Sequence, residues 1–141
     1  MKPAGPESLD RPTVLVVESD VLIRQPVAEY LRECGYKVVE CGNTDEAVLI
    51  LNAEVTTIDV VLADAQAPGK LDGFGLARRL RRDRPGMKVI LAGTIANQAK
   101  EAADLWDGGP QLSKPYDSQL LVDRIRRVLA ARDRAQKPEG N

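Results

Sequence analysis

Short, uninterrupted runs of apolar residues alternate along this chain with stretches that repeat apolar residues at helical spacing. Continuous apolar runs, unlike alternating ones, are typical of strands in a parallel sheet that is covered on both faces. Parallel strands need crossover connections, and the helical stretches can supply them. We therefore predict an α/β fold, a (βα)5 doubly wound parallel five-stranded sheet with the flavodoxin-like order 2-1-3-4-5. The strands are expected at residues 13–17, 37–41, 58–63, 88–92 and 111–113.

The helical stretches carry start and stop signals. Asn43 with Glu46 three residues later predicts a capped helix that includes 47–53, and Asp72 predicts the cap of a helix that stops at Pro85. Pro26 falls inside the first predicted helix, 21–34, where its missing N–H costs about 3 kcal/mol, so we expect a kink or an irregular first turn. Two more helices are predicted at 96–106 and 117–132, and the inward face of the last is expected to hold Leu120, Leu121, Ile125, Val128 and Leu129.

Composition excludes several classes of function. A chain of 141 residues suits one domain, expected at 12–132 between polar tails at 1–11 and 133–141. The net charge of −1 favours neither nucleic acid nor an anionic membrane as partner. No apolar run approaches the ~18–20 residues of a membrane span, and the N-terminus lacks a signal-peptide core, so the cytoplasm is the expected location. Cys34 and Cys41 are expected to be reduced, packed thiols.

The chain contains no histidine. This excludes Ser-His-Asp catalysis and histidine-ligated metals, so any phosphate chemistry here has to be carried by carboxylates. Three polar residues end predicted strands: Glu18 follows the first, Asp64 the third and Lys114 the fifth. Open α/β sheets bind their ligands at the carboxyl ends of the strands, next to the switch point between strands one and three. The two acids and the lysine are therefore expected to gather on one rim of the sheet.

Three motifs carry a resemblance to a known family. They are Val14-Leu15-Val16-Val17-Glu18-Ser19-Asp20, then Asp59-Val60-Val61-Leu62-Ala63-Asp64 with Pro68 and Asp72-Gly73, and Leu112-Ser113-Lys114-Pro115-Tyr116-Asp117. Each motif is weak alone, but their order and spacing together are specific. The chain resembles a bacterial response-regulator receiver domain of two-component signalling, over about residues 12–131.

The resemblance implies a phosphorylation switch. Asp64 matches the residue that accepts a phosphoryl group from a phosphohistidine, and Lys114 matches the lysine that contacts the phosphoryl oxygens. Glu18 matches an acid of the Mg²⁺ site, which also uses Asp64 and the backbone carbonyl of the residue here numbered Gln66. An anionic phosphoryl group attacked by a carboxylate needs such positive charge around it. Such a domain is not an enzyme in the ordinary sense, because it catalyses only its own phosphorylation and dephosphorylation.

The resemblance also implies partners. The phosphoryl donor would be a histidine kinase or a histidine phosphotransfer protein. A downstream protein, or a second copy in a homodimer, would dock on the face of the fourth helix, fifth strand and fifth helix. No DNA-binding or catalytic module follows residue 132 in this sequence, so output by protein–protein contact or onward phosphate transfer is expected.

Three positions depart from the family pattern. Ser19 replaces the second metal-site acid, so Mg²⁺ is expected to bind weakly, with Asp20 as a candidate substitute ligand. Gly93 stands where strand four normally ends in Thr or Ser, with Thr94 next door as a candidate switch hydroxyl. Gln111 replaces the switch aromatic. These departures leave open an alternative, a degenerate receiver that acts as a phosphorylation-independent interaction module.

Other interpretations also stay open. A flavodoxin-like domain that binds a nucleotide or flavin would need a Gly-rich loop after strand one, where this chain is acidic. Trp106 fits either a buried anchor or a partner contact. Two groups of arginines fit solvated helix faces. The first has contact with nucleic acid as a minor alternative and consists of Arg78, Arg79, Arg81, Arg82 and Arg84. The second has a protein interface as its alternative and consists of Arg124, Arg126, Arg127, Arg132 and Arg134.

Overall fold

The computed structural model describes residues 11–93, 107 and 112–136. The described residues form five strands: β1 (Thr13–Val17), β2 (Lys37–Cys41), β3 (Val60–Asp64), β4 (Lys88–Gly93) and β5 (Leu112–Ser113). They also form four helices: α1 (Val21–Glu33), α2 (Thr44–Ala53), α3 (Gly73–Asp83) and α4 (Ser118–Gln136). All strand pairs are parallel, in the order β2-β1-β3-β4-β5, which confirms the predicted fold. The helix predicted at 96–106 lies outside the described residues, so α4 denotes the last helix.

The sheet has helices packed on both faces. Along β1 and β3 alternate residues point to opposite sides, and the two sides form separate buried clusters. One cluster joins Leu15, Val17, Val61 and Ala63 to α2 and α3, and the other joins Val14, Val16, Val60 and Leu62 to α1 and α4. Every residue of β1 and β3 is buried, which explains why these strands are apolar throughout rather than alternately.

The predicted helix caps are present. Asn43 caps α2 by accepting a hydrogen bond from the backbone N–H of Glu46 at 2.8 Å, and the Glu46 carboxylate accepts one from Gly42 N–H at 2.8 Å. Asp72 caps α3 by accepting from Gly75 N–H at 2.8 Å. These bonds satisfy N–H groups that have no partner inside the helix. They fix where both helices begin relative to the strands before them.

Pro26 lies within α1, and the helix runs through it from Val21 to Glu33. Leu22, whose carbonyl loses its intrahelical partner at Pro26, is 81% exposed, and Pro26 is exposed as well. Because both residues are on the solvent side of the helix, water can satisfy that carbonyl. The helix therefore accommodates the proline without ending there.

The prediction for the last helix was wrong in two details. Leu120 is 57% exposed, and Val122 is buried in its place. Residues 121, 122, 125, 128 and 129 share one stripe of a 3.6-residue helix, and position 120 lies beside that stripe. The helix also continues to Gln136, beyond the predicted end at Arg132 and into the predicted tail. Its final turns are polar and mostly exposed, so apolar spacing gave no signal for them.

Candidate functional site

The carboxyl ends of β1 and β3 meet at one rim of the sheet. Val17 pairs with Ala63, so Glu18, directly after β1, comes beside Asp64, the last residue of β3. Side chains alternate along a strand, so Glu18 continues the face of Val16. Asp64 continues the same face, because it lies two residues after Leu62. Both carboxylates consequently emerge from the sheet face that is covered by α1 and α4.

Lys114 joins the two carboxylates. Its Nζ lies 2.6 Å from Glu18 Oε1 and 3.1 Å from Asp64 Oδ2. Its backbone N–H donates to the carbonyl of Gly93 at 3.1 Å, which fixes the residue against the end of β4. The side chains of Glu18, Asp64 and Lys114 are 2%, 12% and 12% exposed. The structure thus brings together the three strand-end residues in a largely buried cluster.

The cluster carries an imbalance of charge. Two carboxylates share one ammonium group, which leaves one excess negative charge among these three side chains. Burial lowers the pKa of Lys114, but its contacts with Glu18 and Asp64 outweigh burial and raise that pKa overall. Lys114 is therefore protonated at neutral pH. A buried anionic cluster of this kind favours the approach of a cation.

Backbone groups hold the two carboxylates in place. Asp20 N–H donates to Glu18 Oε2, and Gln66 N–H donates to Asp64 Oδ1, each at 3.1 Å. Arg24 binds the carbonyl of Glu18 through Nη1 at 2.8 Å and pairs with a carboxylate of β2. Sequence reasoning missed Arg24. The helix dipole disfavours a cation near a helix N-terminus, where Arg24 lies. This unfavourable position was the available signal that Arg24 has a specific partner.

The loop after Asp64 is anchored by Thr44. The Thr44 hydroxyl donates to the carbonyl of Leu71 at 2.6 Å and is 3.2 Å from that of Pro68, whose carbonyl also accepts from Thr44 N–H at 2.9 Å. Gly73 begins α3 directly against the strand, and a Cβ on it would overlap the carbonyl of Asp64. Both contacts fix the loop that follows the acid. Sequence reasoning did not identify Thr44.

The candidate donors for a divalent cation differ in the hydrogen bonds that they already make. Asp20, a candidate ligand, accepts a hydrogen bond from Leu22 N–H at 2.9 Å, so its side chain caps α1. Ser19 and Gln66 are exposed. The described residues contain no group of three or more His, Cys, Asp or Glu side chains that could hold a metal ion. Two carboxylates remain, which fits Mg²⁺, an ion that is held by one or two carboxylates and keeps several waters.

A buried polar atom supports that fit. Glu18 Oε1 is buried, and its contact among the described residues is the ion pair with Lys114 Nζ at 2.6 Å. A carboxylate oxygen in this state retains acceptor capacity for a cation. The donor set therefore suits a hard cation, while Ser19 adds no carboxylate to it.

Not every predicted position lies among the residues that the structure describes. Thr94, Trp106 and Gln111 lie outside the described residues. Gly93 is the buried last residue of β4 and brings no hydroxyl to the site. Tyr116, to which sequence reasoning gave no role, packs against the apolar cluster beneath α1 and α4, and its hydroxyl is buried with no hydrogen-bond partner among the described residues.

Residues 14–126 match the family profile described as the response regulator receiver domain. The chain belongs to this family. Among curated relatives, this receiver is 31% identical over 123 residues to a "Probable transcriptional regulator ycf27" of Guillardia theta, covering 86% of this chain and 47% of that protein. It is 28% identical over 116 residues to the "Uncharacterized transcriptional regulatory protein YbdJ" of Bacillus subtilis, covering 82% of this chain and 50% of that protein. The receiver thus spans about half the length of these relatives.

Solved structures share the receiver fold. A response regulator receiver domain protein from Clostridium thermocellum superimposes with a TM-score of 0.78 at 24% identity, covering 89% of this chain and 99% of that one. Response regulator TrrA from Thermotoga maritima, solved in complex with Mg(2+)-BeF, gives 0.73 at 23% identity, covering 83% and 98%. At these identities the likeness concerns the fold alone. None of the helices that the structure describes has the length and apolar character of a membrane span.

Proposed function

We propose that this receiver accepts a phosphoryl group on Asp64 from a histidine kinase or a histidine phosphotransfer protein. The observation that carries the proposal is the bridge from Lys114 to both Glu18 and Asp64. A lysine within 3.1 Å of the acceptor carboxylate is close enough to contact the oxygens of a group attached there. The family membership makes phosphorylation-based signalling the natural use of this cluster.

The chemistry divides between the two partners. A carboxylate oxygen of Asp64 would form a bond to phosphorus as the phosphorus–nitrogen bond of the donor histidine breaks, giving an acyl phosphate. The histidine has to come from the partner, because this chain contains none. Lys114, kept protonated by its raised pKa, would neutralise charge on the phosphoryl oxygens. The hydrogen bond from Gln66 N–H would keep the carboxylate oriented during attack.

Mg²⁺ would be held by the carboxylates of Glu18 and Asp64 and by the backbone carbonyl of Gln66. When bound, it supplies positive charge at the phosphoryl oxygens. The Mg(2+)-BeF complex of TrrA supports this assignment by analogy of fold. Because Ser19 brings no carboxylate and the Asp20 side chain caps α1, we expect weaker Mg²⁺ binding than a three-acid site would give.

Output would pass through contact with another protein. The surface beside β5 and α4, together with the segment before β5, would bind a downstream target or a second copy of the receiver. No enzymatic activity is proposed beyond the receiver's own phosphorylation and dephosphorylation. This assignment rests on the family and on the position of Lys114 at the end of β5, where events at Asp64 can reach that surface.

A second candidate function is an interaction module that no longer uses phosphorylation. Two observations favour it: Gly93 brings no hydroxyl to the end of β4, and Asp20 is engaged in capping α1. Under this alternative Glu18, Asp64 and Lys114 would form a fixed ion-pair cluster. The phosphorylation experiment separates the two functions.

The experiment is incubation with acetyl phosphate and Mg²⁺, followed by a phosphate-affinity gel. We expect a retarded band for the unaltered receiver and for Asp59→Asn, and none for Asp64→Asn or when Mg²⁺ is removed with a chelator. Asp59 is a matched control, because it is a carboxylate at the opposite end of the same strand. Absence of a retarded band for the unaltered chain would favour the interaction module instead.

A further inference from the structure

The hydroxyl of Tyr116 is the feature of the site that the proposed function leaves unused. Tyr116 follows Lys114 by two residues, and its ring packs against the apolar cluster of Val14, Val16, Val60 and Leu62. Glu18 and Asp64 continue the same face of the sheet beyond Val16 and Leu62. The tyrosine therefore lies on the side of the sheet from which both carboxylates emerge.

The hydroxyl is buried without a hydrogen-bond partner in the part of the chain that the structure describes. Burying a polar group without a partner costs free energy, and native proteins seldom retain such a group without a reason. Phenylalanine would fill the same space without that cost. The hydroxyl thus raises the free energy of the unphosphorylated state, from which we infer that its hydrogen-bond partner is present in another state.

The carboxylate of Glu18 lies on the same side of the sheet as Tyr116. Glu18 Oε1 is buried, and its partner among the described residues is the Lys114 ammonium at 2.6 Å. Burial, the largest cause, and the negative charges of Glu18 and Asp64 raise the pKa of Tyr116. The phenol therefore stays protonated and remains a donor at all physiological pH values.

We propose that the Tyr116 hydroxyl donates a hydrogen bond to the Glu18 carboxylate when Lys114 turns to a phosphoryl group on Asp64. This inference rests on the proposed function. In the unphosphorylated state Lys114 serves both carboxylates, and a phosphoryl group would draw it away from Glu18. Tyr116 then donates to Glu18 in place of Lys114 and holds this carboxylate in position for the Mg²⁺ that it would bind. It acts through Glu18 and is a positioning residue of the site.

The first test compares Tyr116→Phe with the unaltered receiver. Loss of a hydrogen bond to a charged group is expected to slow phosphorylation by acetyl phosphate about tenfold. The same change removes an unsatisfied buried hydroxyl, so the melting temperature should stay the same or rise by about 3 °C. Tyr36→Phe is the matched control, since Tyr36 belongs to the same apolar cluster at the start of β2. It should leave the phosphorylation rate unchanged.

The second test is spectroscopic. The chain has three tyrosines, so the Cζ resonance of ¹³C-labelled Tyr116 can be assigned from the spectrum of Tyr116→Phe. On addition of acetyl phosphate and Mg²⁺ this resonance should shift in the unaltered receiver and stay in place in Asp64→Asn. A merely structural role for the hydroxyl would give no such shift.

Three results would overturn the inference. The first is an unchanged phosphorylation rate in Tyr116→Phe, with no shift of its resonance in the unaltered chain. The second is a melting temperature of Tyr116→Phe well below that of the unaltered chain, which would assign the hydroxyl a structural partner. The third is no phosphorylation of the unaltered chain at all, which would overturn the proposed function as well.

Discussion

The sheet has two rims, one where its strands begin (the amino edge) and one where they end (the carboxyl edge). Each holds a carboxylate that is paired with a cation, but the two pairings are built differently. At the amino edge, Asp59 Oδ2 accepts a hydrogen bond from Thr13 N–H and Oδ1 accepts one from Arg132, both at 2.8 Å. At the carboxyl edge, Glu18 and Asp64 compete for Lys114. At the amino edge Asp59 has both of its oxygens occupied, whereas at the carboxyl edge Glu18 and Asp64 share one cation.

This difference separates a structural ion pair from the proposed phosphorylation site. The amino-edge pair connects β1, the start of β3 and the end of α4 and leaves Asp59 with little left to bind. The carboxyl edge keeps a negative charge in excess and a buried hydroxyl, that of Tyr116, which has no hydrogen-bond partner among the described residues. Unsatisfied groups cluster where a protein binds or reacts, because stability alone would remove them.

The largest expected difference between the edges concerns their cations. Lys114→Met would leave two adjacent buried carboxylates without a counter-charge, and we expect the free energy of unfolding to fall by about 3 kcal/mol at pH 7. Arg132→Met would unpair one carboxylate that is partly solvated, at a cost of about 1 kcal/mol. Urea denaturation at pH 7 measures both. Equal losses for the two variants at pH 7 would contradict the distinction between the edges.

A smaller effect is expected from a glycine at each edge. Gly73 lies against the backbone of Asp64, where an added Cβ would force the start of α3 away from β3. We expect Gly73→Ala to lower the free energy of unfolding by about 2 kcal/mol. Gly86, in the turn before β4, has nothing within 4 Å of an added Cβ, so Gly86→Ala should change it by less than about 0.5 kcal/mol. Chemical denaturation measures the free energy of unfolding of both variants. A similar loss in both would show that the contact of Gly73 with Asp64 does not position β3 against α3.

Much of the carboxyl edge was predictable, because the residues at which strands end can be located in the sequence alone. Parallel pairing puts the residues after β1 and at the end of β3 side by side, so Glu18 and Asp64 had to meet once the strand order was known. Asp20 could have been assigned too: an Asp directly before the first helical residue is a strong N-cap signal, and the cap is where its side chain lies.

The remaining contacts depend on three-dimensional packing that spacing does not reveal. Thr44 reaches carbonyls 24 and 27 residues away, and no local pattern marks that bond. Val122 lies in the buried stripe of α4 and Leu120 beside it, and only the packing of α4 on the sheet decides which of the two is buried. An aromatic residue such as Tyr116 resembles ordinary core in a sequence, and its unpartnered hydroxyl appears only once its neighbours are placed.

The smallest expected effect concerns two thiols. Cys41 ends β2 below the site, where its carbonyl accepts from Glu18 N–H, and burial raises its pKa to about 11 from about 9. A pKa raised by folding gives stability that is complete below the unfolded value and is lost as pH rises towards the folded value. Between pH 8 and pH 10 the unaltered chain should therefore lose about 1 kcal/mol more than Cys41→Ala. Urea denaturation across this range measures the difference, and Cys34→Ala, which removes a half-buried thiol at the amino edge, controls for thiol loss in general. Parallel slopes for Cys41→Ala and the unaltered chain would mean that burial in the apolar cluster beneath α2 and α3 does not keep this thiol protonated.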